Sequence, residues 1–264
     1  MASGVSAAVK HIRQVLDTRP LVMGDIVVEV RGNIDDSGVC EEGMRGCWNL
    51  LFFDATEKKR AFDAELIQLC LDVLMRHARH VYLGRSITRN CLFIIKEMAA
   101  TCGSTSKKIK ETHKKLIFDR TQAMGLSKVV IDNMKLYSGN VVMDVRANKN
   151  FRLDSKVQEA GCAALGWLNL RASKDYRAKV IAYGALDRIE FCIMNFPRNP
   201  HVLRYARWVH EMLMEAKAEY ERDMLTKRET EERQKMIDRM ARNVIAQKKD
   251  KKKKKSQFDE NEDE

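Results

Sequence analysis

One stripe of apolar and small side chains occurs four times in this chain, and it restricts what the chain can fold into. The stripe occupies positions i, i+4, i+7, i+8 and i+11 of segments that begin at residues 39, 87, 157 and 202. This spacing follows one face of an α-helix. Nineteen of the twenty positions are apolar or small: Val39, Gly43, Gly46, Cys47, Leu50; Ile87, Cys91, Ile94, Ile95, Met98; Val157, Gly161, Ala164, Leu165, Leu168; Val202, Ala206, Val209, Leu213, with His210 as the exception.

A second apolar segment precedes each stripe and contains a small residue beside an apolar run. We therefore predict a repeating unit of two helices, the second of them striped. The 264 residues include only 3 prolines and 13 glycines, too few for short strands joined by tight turns, so we predict an all-α protein. The preceding segments are 23–30, 63–75, 123–137 and 182–195.

The second position of every stripe, i+4, is small, which predicts a close helix crossing there. The residues are Gly43, Cys91, Gly161 and Ala206. A helix that crosses at such a position can approach the backbone closely because no large side chain separates the two.

Residues 157–168 read VQEAGCAALGWL, and residues 39–50 read VCEEGMRGCWNL. Both resemble the third helix of the armadillo repeat, and the likeness extends loosely over residues 20–215. The resemblance implies a right-handed α-solenoid of about four three-helix repeats with a groove for a partner. HEAT repeats, which have two helices and a similar period, are the alternative.

In peptide-binding armadillo proteins an Asn near the end of the striped helix holds the backbone of an extended peptide. The matching positions here are Asn49, Glu97, Trp167 and Met212, and only Asn49 carries the amide. We therefore expect a partner that is not held by an asparagine ladder. Trp167 is a candidate for stacking on a partner, with packing against an adjacent repeat as the alternative.

From Val202 to about residue 247 no Pro or Gly interrupts a helical pattern, which predicts a long C-terminal helix. Residues 226–235 contain no apolar side chain and predict a solvated rod rather than a coiled coil. An apolar stripe then returns at Met236, Ile237, Met240, Val244 and Ile245, and we expect Ile237, Met240 and Val244 to bind a partner.

The spacings between stripes are 48, 70 and 45 residues, and the long one indicates insertions. The predicted organisation is an N-terminal helix or cap at 1–19, repeats at 20–215 with insertions near 102–116 and 138–156, a charged helix at 216–247, and a disordered Lys-rich then acidic tail at 248–264.

No motif of a catalytic site is present: the sequence lacks a Walker A loop, G-x-S-x-G and H-E-x-x-H. His77 and His80 lack a third ligand nearby, so we expect no metal, no cofactor and no enzymatic activity. No apolar run approaches the ~20 residues that span a bilayer. The seven cysteines lie mostly among apolar residues without a C-x-x-C pair, which indicates reduced thiols.

These observations predict a non-catalytic scaffold or adaptor that binds another protein, as one component of a larger assembly. The formal net charge of +11 and the seven Lys of 248–255 keep open a nucleic-acid-associated protein, whose binding would fall steeply with salt. A third hypothesis is an axonemal or cytoskeletal component. We expect a cytoplasmic protein, and the Lys tract is also typical of a nuclear import signal.

Overall fold

The computed structural model describes residues 23–53, 57–80, 82–103, 111–139 and 153–260, and every regular element in these ranges is an α-helix. The prediction of an all-α protein is confirmed, while the predicted cap at 1–19 lies outside the described residues. The helices are α1 (Met23–Gly32), α2 (Ser37–Phe53), α3 (Glu57–Asp63), α4 (Leu66–His77), α5 (Gly84–Gly103), α6 (Glu111–Ala123), α7 (Leu126–Leu136), α8 (Ser155–Asn169), α9 (Lys174–Ala182), α10 (Ala185–Asn195) and α11 (Pro200–Glu260).

The chain divides into two compact units, residues 1–216 and 217–264. The buried core belongs to the first unit, and α11 begins in that unit and continues through the second. In the second unit, every described side chain from Lys217 to Met240 is exposed or half-buried. Residues 226–235, predicted as a solvated helix, are helical, and each of their side chains is exposed.

The four predicted stripes lie on α2, α5, α8 and the start of α11. Their first residues, Val39, Ile87, Val157 and Val202, are all completely buried. α5 packs against α2 on one side and α8 on the other, and these are among the largest helix contacts of the first unit. The stripes thus form the hydrophobic core, as their spacing predicts.

In two of the stripes the preceding helix crosses closely at the small residue in position i+4. A Cβ added at Gly43 would lie 2.1 Å from Val30 Cγ2 of α1, and one added at Gly161 would lie 2.4 Å from Met134 Cγ of α7. Neither position has room for a larger side chain. The predicted close crossings at Gly43 and Gly161 are confirmed.

Three helices, α4, α7 and α10, begin directly after a residue in the left-handed backbone conformation. These residues are Glu65 (φ 58°), Gly125 (φ 64°) and Gly184 (φ 86°). Gly adopts this conformation without steric cost, whereas a residue with a Cβ does not. Glu65 is the only non-glycine residue with positive φ in the described part of the chain.

The side chain of Glu65 joins two other helix ends. Arg120 Nη2 lies 2.7 Å from Glu65 Oε1, and Arg31 Nη2 lies 3.4 Å from Oε2. The hydrogen bond and charge of Arg120, followed by the charge of Arg31, lower the pKa of the Glu65 carboxyl. The carboxylate form is therefore favoured in the folded protein.

The lowered pKa of Glu65 has a consequence for stability at acid pH. Because the pKa is lower in the folded state, the contribution of the carboxylate is present above the pKa of unfolded Glu and is lost as pH falls through the folded pKa. We expect Glu65→Gln to unfold at slightly lower urea concentration than wild type near neutral pH, and this difference to vanish on acidification. Urea titrations across pH test this, and a difference that is independent of pH would contradict it.

The predicted two-helix unit does not include α3, α6 and α9, which precede the left-handed junctions. The predicted insertion at 102–116, expected to continue as a basic helix after a Gly/Ser/Thr loop, overlaps α6, which starts at Glu111. These helices carry few apolar residues, so their amphipathic pattern is weak. Of the predicted insertion at 138–156, residues 140–152 lie outside the described residues, and Ser155 and Lys156 belong to α8.

The predicted end of the long helix also differs from the structure. A disordered tail was expected from residue 248, whereas α11 is helical to Glu260. The Lys tract contains neither Pro nor Gly, and Lys is a good helix former. The Lys tract therefore contains no helix-breaking residue, and the helix continues through it.

Candidate protein-interaction surface

Two aromatic rings stack between α2 and α5, where both pack against the hydrophobic core. Trp48 and Phe93 are both half-buried, and their ring centroids lie 4.8 Å apart with an interplanar angle of 13°. Lys96 Nζ lies 5.9 Å from the Phe93 centroid, within reach of a cation–π contact. Trp48 Nε1 is shielded from solvent and has no hydrogen-bond partner.

The four positions equivalent to the armadillo asparagine do not form one exposed row. Asn49 is exposed on α2, next to Trp48. Glu97, in contrast, is 8% exposed and lies 2.7 Å from Lys96 Nζ and 3.4 Å from Lys58 Nζ. Met212 is 9% exposed. The polar groups of this surface are therefore Asn49 and an ion-paired carboxylate, not a ladder of amides.

Trp167 packs against the next striped helix. Its ring meets Trp208 of α11 edge to face, with centroids 5.4 Å apart and an interplanar angle of 69°. Trp208 also lies directly over Gly166, where an added Cβ would be 2.2 Å from Trp208 Cζ3. Both tryptophans remain half-buried. Trp167 thus takes part in packing between neighbouring helices and also retains some accessible surface.

The Trp48–Phe93 stack was not among the sequence predictions. The two residues lie on different helices, α2 and α5, and nothing in a local pattern shows that they meet. Both rings are half-buried and pack against the hydrophobic core. Trp48 directly precedes Asn49, which the sequence predicts as a partner-binding residue. In the structure this candidate site is therefore an amide next to a pair of aromatic rings.

An open cleft of about 750 Å³ lies between α4 and α7, and the sequence reasoning did not anticipate it either. Met75, at its rim, is 75% exposed. The remaining lining is partly apolar and partly polar, with Leu71, Leu74, Ala78, Met124, Val129 and Leu136 beside Gln68, Arg79, Asp132, Asn133 and Lys135.

The second unit carries the predicted apolar stripe of α11 in an exposed position. Met236, Ile237 and Met240 are 58%, 57% and 58% exposed. The side chains of Val244 and Ile245 lie outside the described residues. Three neighbouring apolar side chains, all more than half exposed on an otherwise polar helix, form a surface of the kind that usually binds another molecule.

The histidines and most of the thiols have structural surroundings. The imidazole Nε2 of His77 lies 2.7 Å from the carbonyl oxygen of Ile34, and that of His80 lies 3.3 Å from Ser37 Oγ. Both histidines therefore connect the region around the end of α4 to the residues at the start of α2. Burial, with help from Asp36, raises the pKa of the Cys40 thiol to about 12. Over the ranges the structure describes, no group of three or more His, Cys, Asp or Glu side chains could hold a metal ion.

The chain matches no protein-family model and no curated protein. A search of solved structures finds a crystal structure of an engineered protein, a target of the Northeast Structural Genomics Consortium, at 13% identity. The match covers 79% of this chain and 99% of that one with a TM-score of 0.39, too low to support an argument about this chain. In the described ranges, no helix has the length and apolar character to cross a membrane.

Proposed function

We propose that this chain is an armadillo-like right-handed α-solenoid that acts as a non-catalytic scaffold or adaptor for another protein. Its four units would be α1–α2, α3–α5, α6–α8 and α9 with α10 and the start of α11. A left-handed residue recurs before α4, α7 and α10. It supports equivalent units, because each time it joins a more polar helix (α3, α6 or α9) to an apolar one. α5 packs between α2 and α8, so each of these striped helices contacts the next one along the chain, as stacked repeats require.

The observation that carries the proposed function is the exposed stripe of Met236, Ile237 and Met240 in the second unit. Each of these residues has more than half of its surface exposed to water, and covering that apolar surface with a partner is favourable. The stripe is flanked by Lys235, Arg239 and Arg242, all exposed. We therefore expect a partner surface that is apolar in its centre and acidic at its edge.

The surface around Trp48, Phe93 and Asn49 supplies a second contact in this proposal. The half-buried aromatic pair offers a rigid apolar face to a partner. Asn49 beside it provides a donor and an acceptor. Aromatic side chains in such positions contribute strongly to protein interfaces.

The test is a double substitution in the stripe. Ile237→Asp with Met240→Asp should remove partner capture from cell lysate, because it places two carboxylates in the centre of an apolar contact, and should leave the thermal midpoint almost unchanged. The measurement is affinity capture with quantitative mass spectrometry, together with a melting curve.

The matched control is Thr230→Asp with Gln234→Asp, which adds the same charge to exposed polar positions of the same helix. Partners lost by the stripe variant and kept by the control support the proposal. A stripe variant that keeps its partners but melts several degrees lower would show that the stripe serves the stability of the fold instead.

A further inference from the structure

The cleft between α4 and α7 separates two helices that run side by side in the same direction. Near the start of α7, Arg120 of α6 lies 2.7 Å from Glu65, the residue before α4. At the other end, Tyr137, which follows α7, donates to the carbonyl oxygen of Ala78, which follows α4, at 2.6 Å. Because both the starts and the ends of the two helices meet, the cleft is a groove that follows both of them.

The walls of this groove are largely apolar. Met75 at its rim is 75% exposed, and a methionine side chain adapts to the shape of a partner. On α4 the lining extends from Gln68 to Arg79, a rise of about 17 Å or three helical turns. A small molecule would stay partly exposed in so open a cleft, whereas ligand sites bury most of their ligand.

The polar side chains of the groove are engaged within their own helices. The Asn133 amide donates to a backbone carbonyl oxygen of α7 at 2.9 Å, and Gln68 donates to Asp72 at 3.0 Å. Asp132 accepts from Lys128 at 2.7 Å. An extended peptide would bring unpaired backbone N–H and C=O groups to this lining, whereas a helix pairs its own backbone internally. The groove therefore suits a helical partner better than an extended one.

The charges at one end of the groove are positive. Arg79 is exposed, and none of the ion pairs among the described residues includes it. Lys135 is also exposed, and its Nζ donates only to the carbonyl oxygen of Tyr183, at 3.4 Å. The lining carboxylate, Asp132, is already paired with Lys128. A partner that carries carboxylates at this end is complementary in charge to the groove.

We propose that the groove between α4 and α7 is a docking site for an amphipathic helix of another protein. The apolar face of that helix, with anchors at i, i+4 and i+7, lies in the groove, and its carboxylates lie beside Arg79 and Lys135. The α11 stripe of a second copy does not fit, because Lys235 and Arg239 would place like charges at that end. This site goes beyond the proposed function, since it uses neither the α11 stripe nor the aromatic pair.

The probe is a display library of Ala-based helical peptides about 18 residues long. Positions i, i+4, i+7 and i+11 vary among apolar residues and Ser, and the remaining surface positions vary among Glu, Gln and Lys. Selection on the full wild-type chain should enrich apolar anchors together with Glu over Lys. Enrichment of Lys over Glu, or of Ser at the anchor positions, would overturn the proposal.

The selected peptides are then titrated against two matched variants by fluorescence anisotropy. Met75→Asp should weaken their binding at least about tenfold, because it places a charge at the rim of an apolar contact. The control is Met194→Asp, since Met194 is 71% exposed on α10 and lies outside the groove lining. It should bind as wild type does. Equal binding by the two variants would overturn the proposal.

A charge reversal tests the end of the groove. Arg79→Glu should weaken binding of the Glu peptides at least about tenfold, and Lys in place of Glu should restore it. An unchanged preference for Glu would overturn the proposal. Ile237→Asp with Met240→Asp should bind the peptides as wild type does, so the groove and the proposed function of the α11 stripe are tested separately. Loss of peptide binding in that variant would assign the peptides to α11 and overturn the groove.

Discussion

Replacing Leu165 with Ala is expected to lower the free energy of unfolding by about 2–5 kcal/mol. Leu165 is completely buried on α8, and Ile95, at the same stripe position of α5, is 1% exposed. Removing either side chain leaves a cavity, because the helices that carry these residues contact several other helices. Ile95→Ala should therefore have an effect of the same size, and denaturant titrations of both variants measure it.

A matched control is Leu225→Ala in the second unit, where the same side chain is 58% exposed. It should change the stability of the first unit by less than about half a kcal/mol, as is usual for exposed sites. If Leu165→Ala or Ile95→Ala is equally mild, the assignment of these residues to one core stripe is wrong.

Gly84→Ala is the second substitution with a large expected effect. A Cβ at the start of α5 would lie 2.6 Å from the carbonyl oxygen of Ala78, and 2.9 Å from both the His77 carbonyl oxygen and Tyr137 Oη. Two of these atoms are backbone and cannot turn away. Tyr137, which is 1% exposed and donates to Ala78 at 2.6 Å, would have to move as well.

We expect Gly84→Ala to cost about 2–4 kcal/mol, since overpacking and the loss of a buried hydrogen bond act together. Gly24→Ala in α1 is the control, because nothing lies within 4 Å of its added Cβ. It should be neutral or stabilising by up to about 1 kcal/mol. Thermal melts of the two variants separate the outcomes, and equal midpoints would show that the end of α4 is less tightly packed against α5 than described.

Several features of the fold follow from the sequence alone. The stripes place Val39, Ile87, Val157 and Val202 correctly because helical periodicity is a local property that burial preserves. Gly43 also predicts a close helix crossing, because a glycine within a buried helix leaves space that a neighbouring helix can fill.

Other features depend on contacts that no local pattern contains. The left-handed turn at Glu65 was missed because Gly is expected there, and the compensating contacts with Arg31 and Arg120 come from distant helices. The Trp48–Phe93 stack likewise arises between two helices. For α3, α6 and α9, tertiary position rather than amphipathic pattern determines the helix.

The central position of α5 has a consequence for how the first unit opens. Amides of α5 can exchange with solvent only when its contacts with both α2 and α8 are released, whereas α9 and α10 contact fewer of the described helices. Local opening is therefore expected in α9 and α10 before α5. Slow hydrogen exchange would be concentrated in α5, and the last helices, including α10, would belong to the more easily opened part of the molecule.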